Sequence, residues 1–313
     1  MVSWLENGSA STTDDRRAFE RKRGAPRCVR RYAGARALTQ CGIEWRLLSA
    51  AALALVFGRA AAGTDPSGTT PAAPSTVAKP YLQPPYTADL ALYSDYIARG
   101  LSYSRERYSL QGHFEYDSPH GLYGGAFLVQ NSAILNKETV EFDPYVGYVK
   151  RINDWSVDTG VFAWLYPHSR LDVSRNLYDT VEATVDVSYK VFGVKFWYDL
   201  KDFWGLDGDS AAVNYFLKPN GSSQGSLYID SHLNMPLPMN FLLKLHVGHQ
   251  FIRNYGALDY SDWLLGFEKN LGYHLTLGGA YTGTDANQSL YTDAHGLNLA
   301  RGKWLAYLRW AFP

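Results

Sequence analysis

Residues 178–201 alternate between apolar and polar side chains, and this feature restricts the fold more than any other. Valines and alanines occupy every second position, which is one parity of the stretch, while Glu182 and Asp186 lie at the positions between them, which is the other parity. After a break at residues 190–193 the alternation resumes. A period of two indicates a β-strand, because successive side chains point to opposite faces of a sheet. The stretch therefore predicts a hairpin of two strands, each about ten residues long, the length of a tilted strand that crosses a bilayer.

Similar alternation recurs along the chain from residue 87. The predicted strands are residues 88–98, 109–117, 121–130, 140–150, 155–165, the two strands within 178–201, and residues 225–235, 241–251, 262–271, 273–281 and 304–312. The further alternating run Ala211–Lys218 is interpreted as a hairpin inside a loop, because single-chain bacterial barrels have even strand numbers. The pattern predicts an all-β protein, an antiparallel up-and-down transmembrane β-barrel of about twelve strands.

A half-buried sheet of a soluble protein alternates in the same way, but two features favour the membrane. The apolar parity has no Asp, Glu, Lys or Arg in the centre of any predicted strand. A lipid face requires this, since a midplane Arg or Lys costs about 2–4 kcal/mol. Short and long connections also alternate along the chain, as do the periplasmic turns and outer loops of outer-membrane barrels.

The N-terminal part of the chain has the composition of a targeting segment. Residues 1–62 contain about 11 Lys and Arg against about 5 Asp and Glu, and the remainder is acidic. An apolar run at residues 47–57 follows Arg46 and ends in small residues, which predicts a signal peptide over residues 46–62. Residues 1–45 are too long for its basic region and suggest that translation begins further downstream. Residues 63–86 are rich in Thr, Pro, Ala and Ser and predict a disordered linker, followed by the barrel over residues 87–313.

The C-terminal strand has a distinctive aromatic parity. Trp304, Leu308, Trp310 and Phe312 lie on one face, and Pro313 follows the terminal aromatic residue. This pattern resembles the strand signal by which outer-membrane barrels are recognised for insertion. We therefore expect the barrel-assembly machinery and outer-membrane lipid to be partners, and the bacterial outer membrane to be the location.

Three short segments resemble motifs of the TorF family, bacterial proteins of unknown function that are provisionally regarded as porins. These segments are Ser-Asp-Tyr-Ile-Ala-Arg-Gly-Leu-Ser at residues 94–102, Glu-Phe-Asp-Pro-Tyr-Val-Gly-Tyr at residues 141–148, and Asp-Thr-Gly at residues 158–160 with Tyr166-Pro167. The resemblance extends from about residue 88 to the end and is best before Gly205. Pro144 departs from an ideal strand and suggests a bulge. The resemblance implies an outer-membrane barrel with a porin role and identifies no substrate.

The polar parity predicts the lining of a pore. Its ionisable residues are Asp95, Glu115, Glu141, Asp143, Asp158, Glu182, Asp186, Lys195, Asp199, Asp230, Lys244, Glu268 and Arg309, together with Lys201 and the histidines His113, His232, His246 and His274. Such groups must be hydrated or paired, since burying them dry is prohibitive. The excess of carboxylates predicts a narrow pore for small polar solutes or ions, with a slight preference for cations. The alternative is that the charges pair into a plug and the barrel does not conduct.

Other functions have weaker support in the sequence. A barrel lipase or acyltransferase could use His232 with Asp230, or His246 with Ser231, but no nucleophile motif surrounds any serine. An adhesin would use the long loops at residues 205–224 and 282–303. Both cysteines, Cys28 and Cys41, lie in the targeting segment, and the histidines lack metal-ligand spacing, so no metal, cofactor or catalytic residue is predicted. No phosphate-binding glycine loop or basic patch indicates nucleic-acid binding.

Overall fold

A computed structural model of the protein describes residues 85–131, 139–167, 169–293 and 295–312. The predicted targeting segment and almost all of the predicted linker lie outside the described residues. In chain order the strands are β1 Tyr86–Tyr93, β2 Ile97–Ala98, β3 Leu101–Ser102, β4 Ser109–Asp117, β5 Leu122–Asn131, β6 Thr139–Ile152, β7 Trp155–Trp164, β8 Thr180–Tyr189, β9 Phe192–Asp199, β10 Leu227–Leu237, β11 Phe241–Phe251, β12 Tyr260–Gly272, β13 Leu275–Thr284 and β14 Lys303–Ala311.

Twelve of these strands form a closed antiparallel barrel, and β2 and β3 form a separate two-stranded hairpin. Each barrel strand pairs with its neighbours in the chain, and β1 closes the barrel on β14 with Tyr93 opposite Tyr307. Closure leaves no unpaired sheet edge. An unpaired edge is not tolerated in a bilayer, because its backbone groups would lack hydrogen-bond partners there. The predicted up-and-down barrel is confirmed, with most strand ends within a few residues of their predicted positions.

The connections alternate in length as predicted. The short turns lie at one end of the barrel, called the turn end, together with the start of β1 and the end of β14. These turns are residues 118–121, 153–154, 190–191, 238–240 and 273–274. The longer connections that the structure describes lie at the other end, called the loop end. One of them carries the helix α1, Gly208–Asn214, and short 3-10 helices occupy Phe203–Gly205, Pro238–Asn240 and Gly256–Leu258.

Two local predictions are wrong. The alternating run Ala211–Lys218 is not a hairpin, because its first half belongs to α1. Asp207 caps this helix by accepting hydrogen bonds from the backbone of Asp209 and Ser210, and such local capping outweighs the alternation. Pro144 causes no bulge: Phe142 pairs with Leu165 in the same register as Tyr145 with Phe162, so the missing donor only interrupts the ladder.

The outward face of the barrel is apolar around its circumference. Leucine, valine and aromatic side chains alternate outward with high exposure, and within the twelve strands Lys150 and Lys269 are the outward Lys or Arg residues. Both lie near strand ends at the turn end. Trp155 and Tyr189 form a tilted aromatic pair at the same end. No helix within the described residues is long and apolar enough to cross a bilayer.

A charge in the middle of this outward face is expected to destabilise the barrel strongly. Val185 lies in the middle of β8 and is exposed, so Val185→Arg should lower the free energy of unfolding in lipid by about 2–4 kcal/mol. Ile152→Arg, at the turn end of β6, is the matched control and should cost at most about 1 kcal/mol. Urea titration in liposomes measures both values, and equal losses would contradict the position of the bilayer.

Candidate functional site in the barrel lumen

The inward face of the barrel carries the predicted lining residues that lie on strands. Those that are buried or half-buried with inward side chains are Glu115, Glu141, Asp143, Asp158, Glu182, Asp186, Lys195, Asp199, Asp230, Lys244, Glu268 and Arg309. Two other expectations are wrong: Lys201 and His274 lie beyond the strand ends and are exposed. The strand alternation places the remaining ionisable side chains in the lumen, where they approach one another from distant parts of the chain.

A folded segment of the chain enters the lumen from the loop end. Residues 94–108, called the plug, connect β1 to β4, although these strands are already paired with Tyr93 opposite Ser109. The segment is therefore longer than the connection requires. Its hairpin of β2 and β3 is fully buried. The predicted first strand, residues 88–98, is too long, because the alternation up to Tyr96 continues into the plug.

The plug is held together by one of the predicted lining residues. Asp95 does not lie on a barrel strand; it lies within the plug and accepts hydrogen bonds from Ser102 Oγ at 2.7 Å and Ser104 Oγ at 2.8 Å. Tyr96 Oη donates to Glu141 Oε1 on β6 at 2.7 Å, which joins the plug to the wall. Asp95 therefore stabilises the plug and does not line the barrel wall.

The tip of the hairpin is a tight turn formed by Arg99 and Gly100. Their φ angles are 47° and 74°, and a two-residue turn with both angles positive is type I′. A Cβ on Gly100 would lie 2.7 Å from Asp262 Cβ, so glycine is needed both for its conformation and for its fit against β12. The turn directs Arg99 toward inward side chains near the loop end of the barrel wall.

Arg99 is enclosed by side chains from five successive barrel strands. Its Nη2 lies 2.7 and 2.9 Å from the two oxygens of Glu182, and its Nη1 donates to Gln250 Oε1 at 2.8 Å. Its guanidinium carbon lies 5.7, 5.5 and 4.4 Å from the ring centres of Trp164, Trp197 and Tyr228. These five side chains of β7 to β11 are called the cage. Arg99 is 1% exposed, so the plug and cage close this level of the lumen.

A second acidic side chain lies beside the cage. Asp199 lies opposite Glu182 in the pairing of β8 with β9, so two carboxylates are close to one guanidinium. Asp199 is 1% exposed, and neither of its carboxylate oxygens has a hydrogen-bond partner among the described residues. Trp164 Nε1 also donates to Glu182, at 2.6 Å. Glu182 therefore accepts hydrogen bonds from both Arg99 and Trp164, whereas the carboxylate oxygens of Asp199 accept none from the described residues.

The long loops cover the plug with an aromatic cluster. Tyr166, Trp204, Tyr255 and Leu258 come from three different loops and are buried together with Tyr103 of the plug. Tyr103 and Trp204 have ring centres 5.9 Å apart. At the rim, Arg301 donates hydrogen bonds to Glu106 and thereby holds the pKa of that carboxyl below its usual range. The loop end is thus closed by packing as well as by the Arg99 contacts.

The half of the lumen near the turn end contains paired charges. His113 lies between Asp89, at 3.2 Å, and Tyr145 Oη, at 2.7 Å, and Tyr145 Oη donates to Glu115 at 2.9 Å. Across the lumen, Glu268 accepts a hydrogen bond from Tyr307 and lies 3.3 Å from Lys244 Nζ. These groups satisfy the rule that buried charges are paired.

A histidine in the middle of β11 links carboxylates on the two neighbouring strands, β10 and β12. His246 Nδ1 lies 2.7 Å from Asp230 Oδ1, and its Nε2 lies 2.5 Å from Asp262 Oδ1. Only the imidazolium form can donate to both carboxylates. Tyr228 Oη also donates to Asp262 at 3.0 Å, which links this group to the ring that lies under Arg99.

The sequence did not identify two functional residues, Arg99 and Asp262. The alternation places Arg99 in a loop and Asp262 at the end of a strand. Gly100 inside a continuing alternation is the available signal, because glycine adopts the positive φ angle that a two-residue hairpin turn requires.

The geometry does not support the enzyme candidates that the sequence left open. Ser231 pairs with Val247 on the outward parity, whereas His246 is buried inside, so the two lie on opposite faces of the sheet. His232 and Asp230 share the inward face but are 3.9 Å apart. Among the described residues, no three His, Cys, Asp or Glu side chains are grouped so that they could hold a metal ion.

Comparison with known proteins gives a family and distant structural likenesses. No curated protein matches the sequence. The solved NanC porin covers 72% of this chain and 100% of its own at 10% identity with a TM-score of 0.46. Outer membrane phospholipase A from Escherichia coli covers 73% and 95% at 12% identity with a TM-score of 0.37. Residues 78–312 match the model of Gcw_chp, so the chain belongs to this family of bacterial proteins of unknown function.

Proposed function

We propose that this protein is an outer-membrane channel for the passive diffusion of small polar solutes or ions, with a slight preference for cations. In the conformation described, the plug closes the outer half of the channel. One observation carries the proposal: the barrel has an apolar outward face and an inward face of ionisable side chains. An inward face of this kind is the arrangement of barrels with a polar, water-filled interior.

The two halves of the lumen differ in access to solvent. Near the turn end, the side chains of Asp89 and His232 are 21% and 19% exposed. Short turns face the periplasm in outer-membrane barrels, so periplasmic water would reach these two side chains, while Glu115, Lys244 and Glu268 of the same half are buried. Arg99 and its cage are almost fully buried above it. A solute could therefore cross the barrel only after the plug moves.

The charge of the periplasmic half supports the cation preference. Its inward carboxylates exceed its permanent cations, with Asp89, Glu115, Asp117, Asp158, Asp186, Asp230 and Glu268 against Arg151, Lys195, Lys244 and Arg309. Rings of carboxylates favour cations in narrow pores. Because several of these groups are paired, the preference should be weak and should decrease as the salt concentration rises.

The expected route to the membrane agrees with this role. A signal peptide over residues 46–62 would direct secretion through the inner membrane, and the C-terminal strand would be recognised by the barrel-assembly machinery. The segment that resembles the first TorF motif, residues 94–102, forms most of the plug. The resemblance to a family provisionally regarded as porins thus concerns residues inside the lumen.

The observation that favours a second candidate, a barrel that does not conduct, is the complete burial of Arg99. Single-channel recording in planar bilayers under a KCl gradient separates the two. We expect rare openings of the wild type and a reversal potential with the sign for potassium. If folded wild type and a variant whose residues 94–108 are replaced by Asn-Gly both stay silent, the channel proposal is refuted and the non-conducting barrel is favoured.

A further inference from the structure

We infer that the cage around Arg99 is a binding site for organic cations that carry a guanidinium or amine group, and that Arg99 occupies it in place of such a solute. The inference rests on the proposed channel function, because a free cation can reach the cage only when the plug has moved. It adds the class of solute that the channel would select.

The cage belongs entirely to the barrel wall. Trp164, Glu182, Trp197, Tyr228 and Gln250 lie on β7, β8, β9, β10 and β11, and the plug contributes only the guanidinium that they surround. Movement of the plug would therefore remove the occupant and leave the binding groups in place. A cage of wall residues has the properties of a site that is formed before the solute arrives.

The chemistry of the cage fits a delocalised organic cation. Glu182 contacts one end of the guanidinium with both oxygens, and Gln250 accepts from another nitrogen. Three aromatic rings lie within 5.7 Å of its centre, with Tyr228 the closest at 4.4 Å. Rings bind weakly hydrated cations through their negative faces, whereas calcium and magnesium require shells of oxygen ligands.

The charge of the cage would persist without Arg99. Glu182 and the neighbouring Asp199 would then form an acidic pair without the guanidinium, and Asp199 accepts no hydrogen bond from an N–H or O–H group of the described residues even when Arg99 is bound. The removal of Arg99 thus creates a site that lacks one cation. A free guanidinium of similar size would restore both the charge and the hydrogen bonds.

Rescue of an Arg99→Ala variant by methylguanidinium tests this inference. The full-length protein is purified and folded in detergent, and its thermal midpoint is measured with methylguanidinium chloride or equimolar sodium chloride. Because a ligand that binds only the folded state stabilises it by mass action, about 20 mM methylguanidinium should restore roughly half of the midpoint lost by the variant. Methylammonium should restore less, because its one nitrogen cannot take the places of both Nη2, which contacts Glu182, and Nη1, which donates to Gln250.

Two controls identify the site of rescue. Arg301→Ala removes a guanidinium that is exposed at the rim, and methylguanidinium should not change its midpoint. Arg99→Ala with Glu182→Gln lacks the main acceptor and should show at most a weak rescue. If the Arg99→Ala chain does not fold unaided, the folded fraction after refolding with each salt replaces the midpoint.

Equal midpoints, or equal folded fractions, in methylguanidinium and sodium chloride would overturn the inference. Rescue of Arg301→Ala to the same extent would also overturn it, since the effect would then be unspecific. Both measurements are made in detergent and require no conduction. Rescue without channel openings would reject the channel and keep the binding site, whereas openings without rescue would do the reverse.

Discussion

Replacement of Arg99 by alanine is expected to lower the free energy of unfolding by about 3–5 kcal/mol, because it leaves Glu182 as a buried carboxylate without its cationic partner. Both side chains are 1% exposed. Trp164 Nε1 still donates to Glu182 in the variant, but one neutral donor does not compensate a buried charge. Urea unfolding in liposomes, followed by tryptophan fluorescence, gives the value.

The double variant Arg99→Ala with Glu182→Gln separates the lost pair from the lost packing. It should recover a large part of the loss, since the unpaired charge is then absent. Arg301→Ala removes an exposed arginine at the rim, where ion pairs contribute at most about 1 kcal/mol. A loss below about 1 kcal/mol for Arg99→Ala would mean that water reaches Glu182 and that the plug is loose.

The barrel could be predicted from the sequence because its determinants are local. Alternation with a period of two identifies each strand, and the absence of charge on one parity identifies the lipid face. The hairpin of β8 and β9 shows this best, since its strands lie within the stretch 178–201. The short turns are local signals too. Each one predicts which two strands pair and that they are joined at the turn end of the barrel.

The plug could not be predicted in the same way. Its hairpin also alternates, so the pattern predicts that Tyr96 continues β1 with its side chain toward the lipid, whereas its hydroxyl donates to Glu141 inside the barrel. Local pattern does not distinguish a strand in the wall from a strand folded into the lumen. The partner of Arg99 lies 83 residues away in the sequence, and only the closed barrel brings Glu182 to it.

Pairing inside the lumen also depends on the shape of the barrel. His246 and Asp262 are on adjacent strands, so their contact follows from the sheet, but nothing local predicts that Tyr228 also reaches Asp262. Tyr228 does so because it lies across Gly248, where a Cβ would come within 2.1 Å of the tyrosine hydroxyl. The sequence therefore predicted which residues face inward more reliably than it predicted which of them meet.

Removal of the plug is expected to increase single-channel conductance on the order of tenfold, because a twelve-stranded barrel is wider than the small barrels that side chains alone can fill. Since Tyr93 already pairs with Ser109, residues 94–108 can be replaced by Asn-Gly, which forms the type I′ turn of a two-residue hairpin. The wall is unchanged, and Glu182 of the cage and the neighbouring Asp199 become hydrated instead of buried.

A matched replacement shows whether the plug itself blocks the channel. The loop at residues 252–259 also covers the lumen and contributes Tyr255 and Leu258 to the aromatic cluster. Its exchange for a short glycine and serine linker should increase conductance much less, because Arg99 and the cage still close the lumen beneath it. Equal conductance of the two variants would place the barrier in the outer loops and contradict the role of the plug. If only the variant without residues 94–108 conducts steadily, Arg99 and its hairpin are the barrier within the barrel.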